Sequence, residues 1–221
     1  DFYPEGMLYG VALRSKYPRA RVLSIDKTKA EQLPGVEAVV TAKDIPGENK
    51  IGHLKHDQYT LIPVGGLTHY LGDAIALVAA KDRETAEKAK KLIKVEYEEY
   101  PVVLSPRISM RGSEHPIHLD KKDNILARSS FAIGDVDKGL EDASVKIERS
   151  YKTPIVQHCH IENNISYAYM EKGRVVVVSS TQIPHIVRRV VGQALGIPWG
   201  QVRVIKPYVG GGFGNKQEVL Y

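Results

Sequence analysis

Apolar and polar positions along the first hundred residues change period in a regular order. The run MLYGVALR (7–14) predicts a strand, DKTKAEQL (26–33) has a helix-forming composition that Pro34-Gly35 breaks, and VEAVVTA (36–42) predicts the next strand. A second strand-helix-strand unit follows. DAIALVAA (73–80) is almost continuously apolar, DRETAEKAKKLI (82–93) opens on an aspartate able to cap it, and KVEYEEY (94–100) alternates with period two. In that helix Ala86, Ala89 and Ile93 fall on one face, so small side chains can meet a sheet while the lysines stay in water.

Between 101 and 130 the period fades into prolines and scattered charges, which predicts a link draped over a surface. Beyond it, ASVKIERSYKTP (143–154) alternates as a long half-buried strand should. NISYAYME (164–171) and RVVVVSS (174–180) flank a Lys172-Gly173 turn and predict an antiparallel pair. Pro184 then opens a helical pattern that Gly196 closes, and QVRVIKPY (201–208) predicts a last strand leading into the loop VGGGFGNK (209–216). The pattern is that of an α+β protein with boundaries at 1–105, 106–130 and 131–221 and no internal repeat.

Composition narrows the function classes. With 43% hydrophobic and 26% charged residues in 221, the chain can bury a sizeable core, as an ordinary soluble globular protein does. Its net charge of +5 is spread among acids and accompanies no nucleic-acid-binding module, so nucleic acid is not an expected partner. Cys159 is the only cysteine, which excludes an internal disulfide and an iron-sulfur cluster held by this chain alone; that usage fits a reducing cytoplasm. No apolar run reaches the roughly 18 residues of a membrane span.

The glycine-rich loop fails both familiar phosphate patterns. Gln217 stands where a Walker loop needs Ser or Thr after its lysine, and Asn215 stands where a dinucleotide fingerprint needs a third glycine. Two readings stay open: a backbone cradle for a ligand walled by Phe213, or a tight turn whose glycines permit close packing. The segment QHCHIEN (157–163) invites a metal-site reading, because His158, His160 and Glu162 share a face if the segment is an extended strand. One-face neighbours some 7 Å apart do not converge on one ion without a bend. Tyr97, Tyr100 and Trp199 read as packing aromatics.

Six segments taken in order resemble the molybdenum-binding large subunits of the xanthine dehydrogenase and aldehyde oxidase hydroxylases. They are GMLYGVALRSKYPRARVLSID, LPGVEAVVTAKDIPG, YLGDAIALVAAKDRETAEKAKKLIKVEYEEYPVVLSP, VQHCHIENNISYAY, SSTQIPHIVRRVVGQALGIP and VGGGFGNKQEVLY, and together they run through essentially the whole chain. The likeness is greatest to bacterial xanthine dehydrogenases whose molybdenum subunit is a separate polypeptide. It implies an N-terminal α/β hammerhead-like domain followed by the first, incomplete part of a molybdenum-cofactor-binding domain.

The resemblance implies site residues by position. Gln182, in the SSTQ segment, matches the glutamine whose side-chain amide meets an apical ligand of molybdenum. Gly211, Gly212, Phe213 and Gly214 match the loop whose main-chain N–H groups face the cofactor, so Gln182 and Phe213 are the expected contacts to the metal's ligands. Two departures stand out. Asn215 replaces a common glycine, and Gln217 occupies the substrate-facing position where xanthine-oxidising members carry glutamate; an amide both donates and accepts, whereas a carboxylate accepts. In the family the general-base glutamate lies far toward the C-terminus, so no catalytic residue is expected in this chain, which reads as about the first third of a subunit and is expected to be inactive alone. The implied cofactor is molybdenum-molybdopterin in a dinucleotide form, with FAD and 2Fe-2S clusters on partner subunits. The implied reaction is hydroxylation of a purine or related N-heterocycle with oxygen from water; an aldehyde-oxidising member, or a non-catalytic scaffold that docks redox partners, are the alternatives.

Overall fold

A computed structural model describes residues 3–53, 55–111, 116–118 and 120–218. The resemblance's last three residues, 219–221, lie outside them. The described residues fall into two compact units, one formed by 1–102 with 158–221 and the other by 103–157.

In the first unit, β1 (Tyr9–Arg14), β2 (Ala20–Asp26), α1 (Thr28–Glu31) and β3 (Val36–Thr41) are followed by the short β4 (Lys50–Ile51) and β5 (Gln58–Tyr59). Then come β6 (Ala74–Ala80), α2 (Arg83–Leu92) and β7 (Lys94–Glu99). The apolar β6 is central, with β1 and β3 antiparallel on either side, which explains its almost continuous apolar run. Helix α2 lies on this sheet through Ala86 and Ala89, which are fully buried with Ala76, Ala80 and Ala30; alanine on both surfaces lets helix and strands approach closely. Its start is fixed by Asp82, whose carboxylate accepts from the Thr85 N–H at 2.7 Å and from the Thr85 hydroxyl at 3.0 Å. β2 pairs antiparallel with β7. It carries Arg21, Ser24 and Asp26 among its apolar positions, and no strand is predicted there; its burial comes from Ala20 and Val22, the latter meeting Ile62 and Ile75.

Within 103–157 two short helices form, α3 (Pro106–Ser109) and α4 (Val136–Asp142), each started by the side chain before it, Ser105 and Asp135. The strand predicted at 143–154 does not form: no ladder partner is present among the described residues. Alternation marks two faces, but a strand also needs a neighbour's N–H and C=O groups. Val145, Ile147 and Tyr151 accordingly stay exposed.

The remainder of the first unit is a compact β-β-α-β arrangement. β8 (Ser166–Glu171) and β9 (Arg174–Ser179) pair antiparallel across a turn in which Lys172 and Gly173 both have positive φ, as the Lys-Gly sequence predicts. Helix α5 (Pro184–Leu195) then crosses over to β10 (Val202–Ile205), which lies parallel to β9. Pro184 occupies the first turn, and Gly196, at φ 65°, ends the helix with left-handed geometry. The C-terminal end of α5 holds the earlier part of the unit. The Gly47 and Glu48 N–H groups donate to the Ala194 and Gln193 carbonyls, and the Arg189 guanidinium donates to the carbonyls of Gly52 and His53 at 3.1 and 2.9 Å. The β9-α5 turn therefore rests on a helix anchored at its far end. Replacing Asp82 by Ala is expected to cost about 1 kcal/mol in urea unfolding with an unaltered m value; an unmoved midpoint would show that the cap contributes nothing.

Candidate functional site

Three stretches distant in sequence converge where β9 ends: residues 160–162, the turn 180–182 and the loop 210–217. At their centre the Lys216 side chain is fully buried. Its ammonium has three N–H donors and uses all of them, on the Glu162 carboxylate oxygen Oε2 at 2.7 Å, the Glu162 carbonyl at 3.0 Å and the Ser180 hydroxyl at 2.9 Å. A buried ammonium survives only with such complete partnering. The same Oε2 accepts from the Ser180 hydroxyl at 2.6 Å and from the Gly210 N–H at 2.8 Å. One carboxylate oxygen thereby takes hold of both ends of the loop. Hydrogen bonds from Lys216, then from Ser180 and Gly210, hold the Glu162 carboxyl down at about 2.

The lysine backbone carries the order onward. Its carbonyl accepts from the Gln182 N–H at 2.8 Å and from the buried Thr181 hydroxyl at 3.4 Å. Gln182 in turn accepts the Gly214 N–H on its Oε1 at 3.2 Å. That bond sets the amide's orientation: Oε1 is engaged, and the Nε2 amide is left with donors that have no acceptor among the described residues. A Cβ at Gly212 would sit 2.5 Å from Gln182 Oε1, so a larger residue there would displace the carboxamide from this position.

Two successive tight turns shape the loop, with the Asn215 N–H on the Gly212 carbonyl at 2.9 Å and the Gln217 N–H on the Gly214 carbonyl at 3.1 Å. Between them Phe213 adopts φ 51°, a left-handed conformation unfavourable for a bulky residue, and its ring is 74% exposed. The Gly214 N–H is committed to Gln182, so the loop's N–H groups without an acceptor among the described residues are those of Gly211, Gly212, Phe213 and Lys216, the first three lying together. Gln217 follows with its side chain exposed.

Residues 157–163 are not a strand. Cys159 takes φ 52°, which breaks the alternation on which the metal-site reading depended. The ligand atoms are engaged within the protein as well. The Glu162 carbonyl can only accept, so the His160 Nδ1 that bonds it carries the proton, and His160 Nε2 accepts from the Asn215 amide at 2.9 Å. The two residues that stood out as oddities, His160 and Asn215, hold each other.

The donor set fits a ligand bearing oxo or sulfido atoms: a carboxamide N–H and several main-chain N–H groups without an acceptor among the described residues, beside a Glu162 carboxylate whose Oε2 is taken up by Lys216, Ser180 and Gly210. The structure brings Gln182, Gly212 and Gly214 into direct contact and places Gly211, Phe213 and Gln217 on the same loop. The sequence reading had no place for Glu162 and Lys216 as partners. They are 54 residues apart, and no spacing rule connects them.

Comparison with known proteins covers nearly the whole chain. Residues 1–101 match the family model of the aldehyde oxidase and xanthine dehydrogenase a/b hammerhead domain, and residues 117–221 match that of the molybdopterin cofactor-binding domain. A putative xanthine dehydrogenase molybdenum-binding subunit of Escherichia coli K12 is 44% identical over all of this chain, which spans 30% of that protein. The nicotinate dehydrogenase large molybdopterin subunit of Eubacterium barkeri is 35% identical over 99% of the chain and 51% of its own length. The solved aldehyde oxidoreductase of Desulfovibrio gigas superposes with a TM-score of 0.86 at 26% identity, covering 97% of this chain and 24% of that one.

The depressed Glu162 carboxyl sets a pH window. Its contribution to holding the loop is complete above the ordinary value of 4.5, where the carboxylate is charged whether folded or unfolded. It is lost as pH falls from there through about 2. Hydrogen exchange of the bonded amides of Gly210, Gly214, Asn215 and Gln217, corrected for intrinsic rates, should therefore show constant protection above pH 5 and progressive loss below 4.5. Flat protection down to pH 2 would contradict the carboxylate's role.

Proposed function

Since the chain belongs to the family of molybdenum-binding large subunits of the xanthine dehydrogenase and aldehyde oxidase hydroxylases, we propose that the subunit containing it hydroxylates a purine or a related N-heterocycle, with Gln182 and the 211–214 loop facing the molybdenum cofactor. The bound cofactor supplies a two-electron oxidation in which water is the oxygen source. Residues 1–105 form the hammerhead-like domain, 106–130 the link and 131–221 the opening part of the cofactor-binding domain. The electrons leave toward 2Fe-2S and FAD groups on separate iron-sulfur and flavin subunits, and the pterin is in a dinucleotide form.

The observation that carries this reading is the hydrogen bond from the Gly214 N–H to Gln182 Oε1. It holds the carboxamide with its N–H groups outward, ready to donate to an oxo or sulfido ligand without reorganising. The Gly211, Gly212 and Phe213 N–H groups add donors on the same loop, and the exposed Phe213 ring, held at positive φ, walls the space where an aromatic heterocycle would lie. Gln217 is the substrate-facing side chain. As an amide it can donate to a ring nitrogen or accept from a ring N–H, so it suits a heterocycle in either tautomer. No residue of this chain is assigned as general base.

The purine reading is supported by the similarity to a molybdenum-binding subunit named for xanthine dehydrogenase, and the wider N-heterocycle reading by that to a nicotinate dehydrogenase. Gln217 in place of glutamate favours a second reading, an aldehyde-oxidising enzyme, which the likeness to an aldehyde oxidoreductase also supports. Side-by-side turnover of hypoxanthine, xanthine, nicotinate and an aromatic aldehyde by the intact, metal-loaded enzyme separates them. Heterocycle turnover with little on the aldehyde is expected, and the reverse order would install the second reading.

In the same enzyme Gln182→Ala is expected to lower kcat by roughly a hundredfold at equal molybdenum content, as for loss of one preorganised donor. Unchanged turnover would remove Gln182 from the site.

A further inference from the structure

The ion pair joins a fully buried Lys216 to a part-exposed Glu162, and the ammonium and Glu162 Oε2 are committed to partners within the protein. From its connections we infer that Glu162 and Lys216 are positioning residues for the cofactor: the pair sets the place of the donor loop and, through the Lys216 backbone, the place of Gln182. This deepens the proposed function and presupposes its reading of Gln182 and the loop as facing molybdenum.

The connections run through both ends of the loop. At its start the Gly210 N–H donates to Glu162 Oε2 and the Gly210 carbonyl accepts from the Glu162 N–H at 3.2 Å. At its end Lys216 meets the same oxygen. The loop is thus closed on a single atom, and Asn215 adds a third tie through His160. Lys216 continues into the other half of the donor set, because its carbonyl receives the Gln182 N–H, while the Gln182 side chain receives the N–H of Gly214. A closed circuit results: Glu162 to Lys216, Lys216 to Gln182, Gln182 to the loop, the loop back to Glu162. Ser180 braces it from the end of β9, donating to the carboxylate and accepting from the ammonium.

A salt bridge buried only for stability could be exchanged for apolar side chains with little loss, whereas one that places donors could not. That difference makes the role testable in the intact subunit with its partner subunits. Glu162→Leu and Lys216→Met should each lower Tm, because one buried charged or polar partner is left unmatched. The double variant, with both charges gone, should regain most of that Tm while losing the order of the loop. Molybdenum per subunit, measured by elemental analysis, is then expected to fall about tenfold or more in the double variant, as when groups that orient a metal site are removed. The bonded amides of Gly210, Gly214, Asn215 and Gln217 should exchange faster in parallel.

A double variant that recovers its Tm and keeps wild-type molybdenum content and exchange would overturn the positioning role. Absence of molybdopterin from the wild-type subunit would instead overturn the functional reading, with the exchange rates still deciding whether the pair orders the loop. If the double variant does not fold, Ser180→Ala takes its place, since it keeps both charges and removes one bond to each. Exchange of the loop about fivefold faster, with lowered molybdenum occupancy, is expected; exchange and occupancy equal to wild type would overturn the inference.

Discussion

Glu162 and Lys216 form an ion pair whose lysine has no contact with solvent, and burial of that kind is unfavourable unless every donor finds an acceptor. Here each one does. The requirement has a structural consequence, because the acceptors come from two separate stretches, 162 and 180, and the lysine itself comes from a third. Satisfying one ammonium therefore fixes the mutual placement of three chain segments that share no regular secondary structure. A glycine-rich loop has little intrinsic preference for a single conformation. Its definition comes from these anchors and from two tight turns between them.

The scaffold beneath makes the anchors possible. Ser180 follows directly from β9, whose Val176 and Ser179 are buried, and Gln182 precedes α5, whose Val187 and Val190 face inward. The turn between them carries the fully buried Thr181, whose hydroxyl accepts from the Ile183 N–H at the start of the helix. β10 then returns parallel to β9 and leads into the loop. The crossover brings the end of one strand and the exit of its neighbour to one place, where an α/β unit commonly presents ligand-binding residues. Donors set there move only if the helix or the sheet moves.

Much of this was legible in the sequence, and the unreadable part has a physical reason. Elements that bury one face by local periodicity were readable, including β6, α2 with its Asp82 cap, the Lys172-Gly173 hairpin and α5 between Pro184 and Gly196. β2 was not, because charged and polar residues interrupt it and only Ala20 and Val22 are fully buried on its inner face. At 143–154 the pattern was present, but no partner strand lies among the described residues. For the site, Gln182 and the glycines came from motif resemblance, and the structure adds how they touch. Glu162 and Lys216 carried signals that pointed elsewhere, one toward a metal site and one toward a failed phosphate loop. A pairing made by tertiary contact over 54 residues leaves no trace in spacing.

The central claim is that a loop tied to one carboxylate through a buried lysine presents, together with the Gln182 carboxamide, hydrogen-bond donors to a molybdenum centre. A crystal structure of the intact, cofactor-loaded subunit, with the metal located by its anomalous scattering, tests this most directly. The account predicts Gln182 Nε2 at about 3 Å from an oxygen or sulfur ligand of molybdenum, with the Glu162 to Lys216 contact intact beneath it. A metal located away from Gln182 and Phe213, with those two residues facing solvent or unrelated protein, would contradict it.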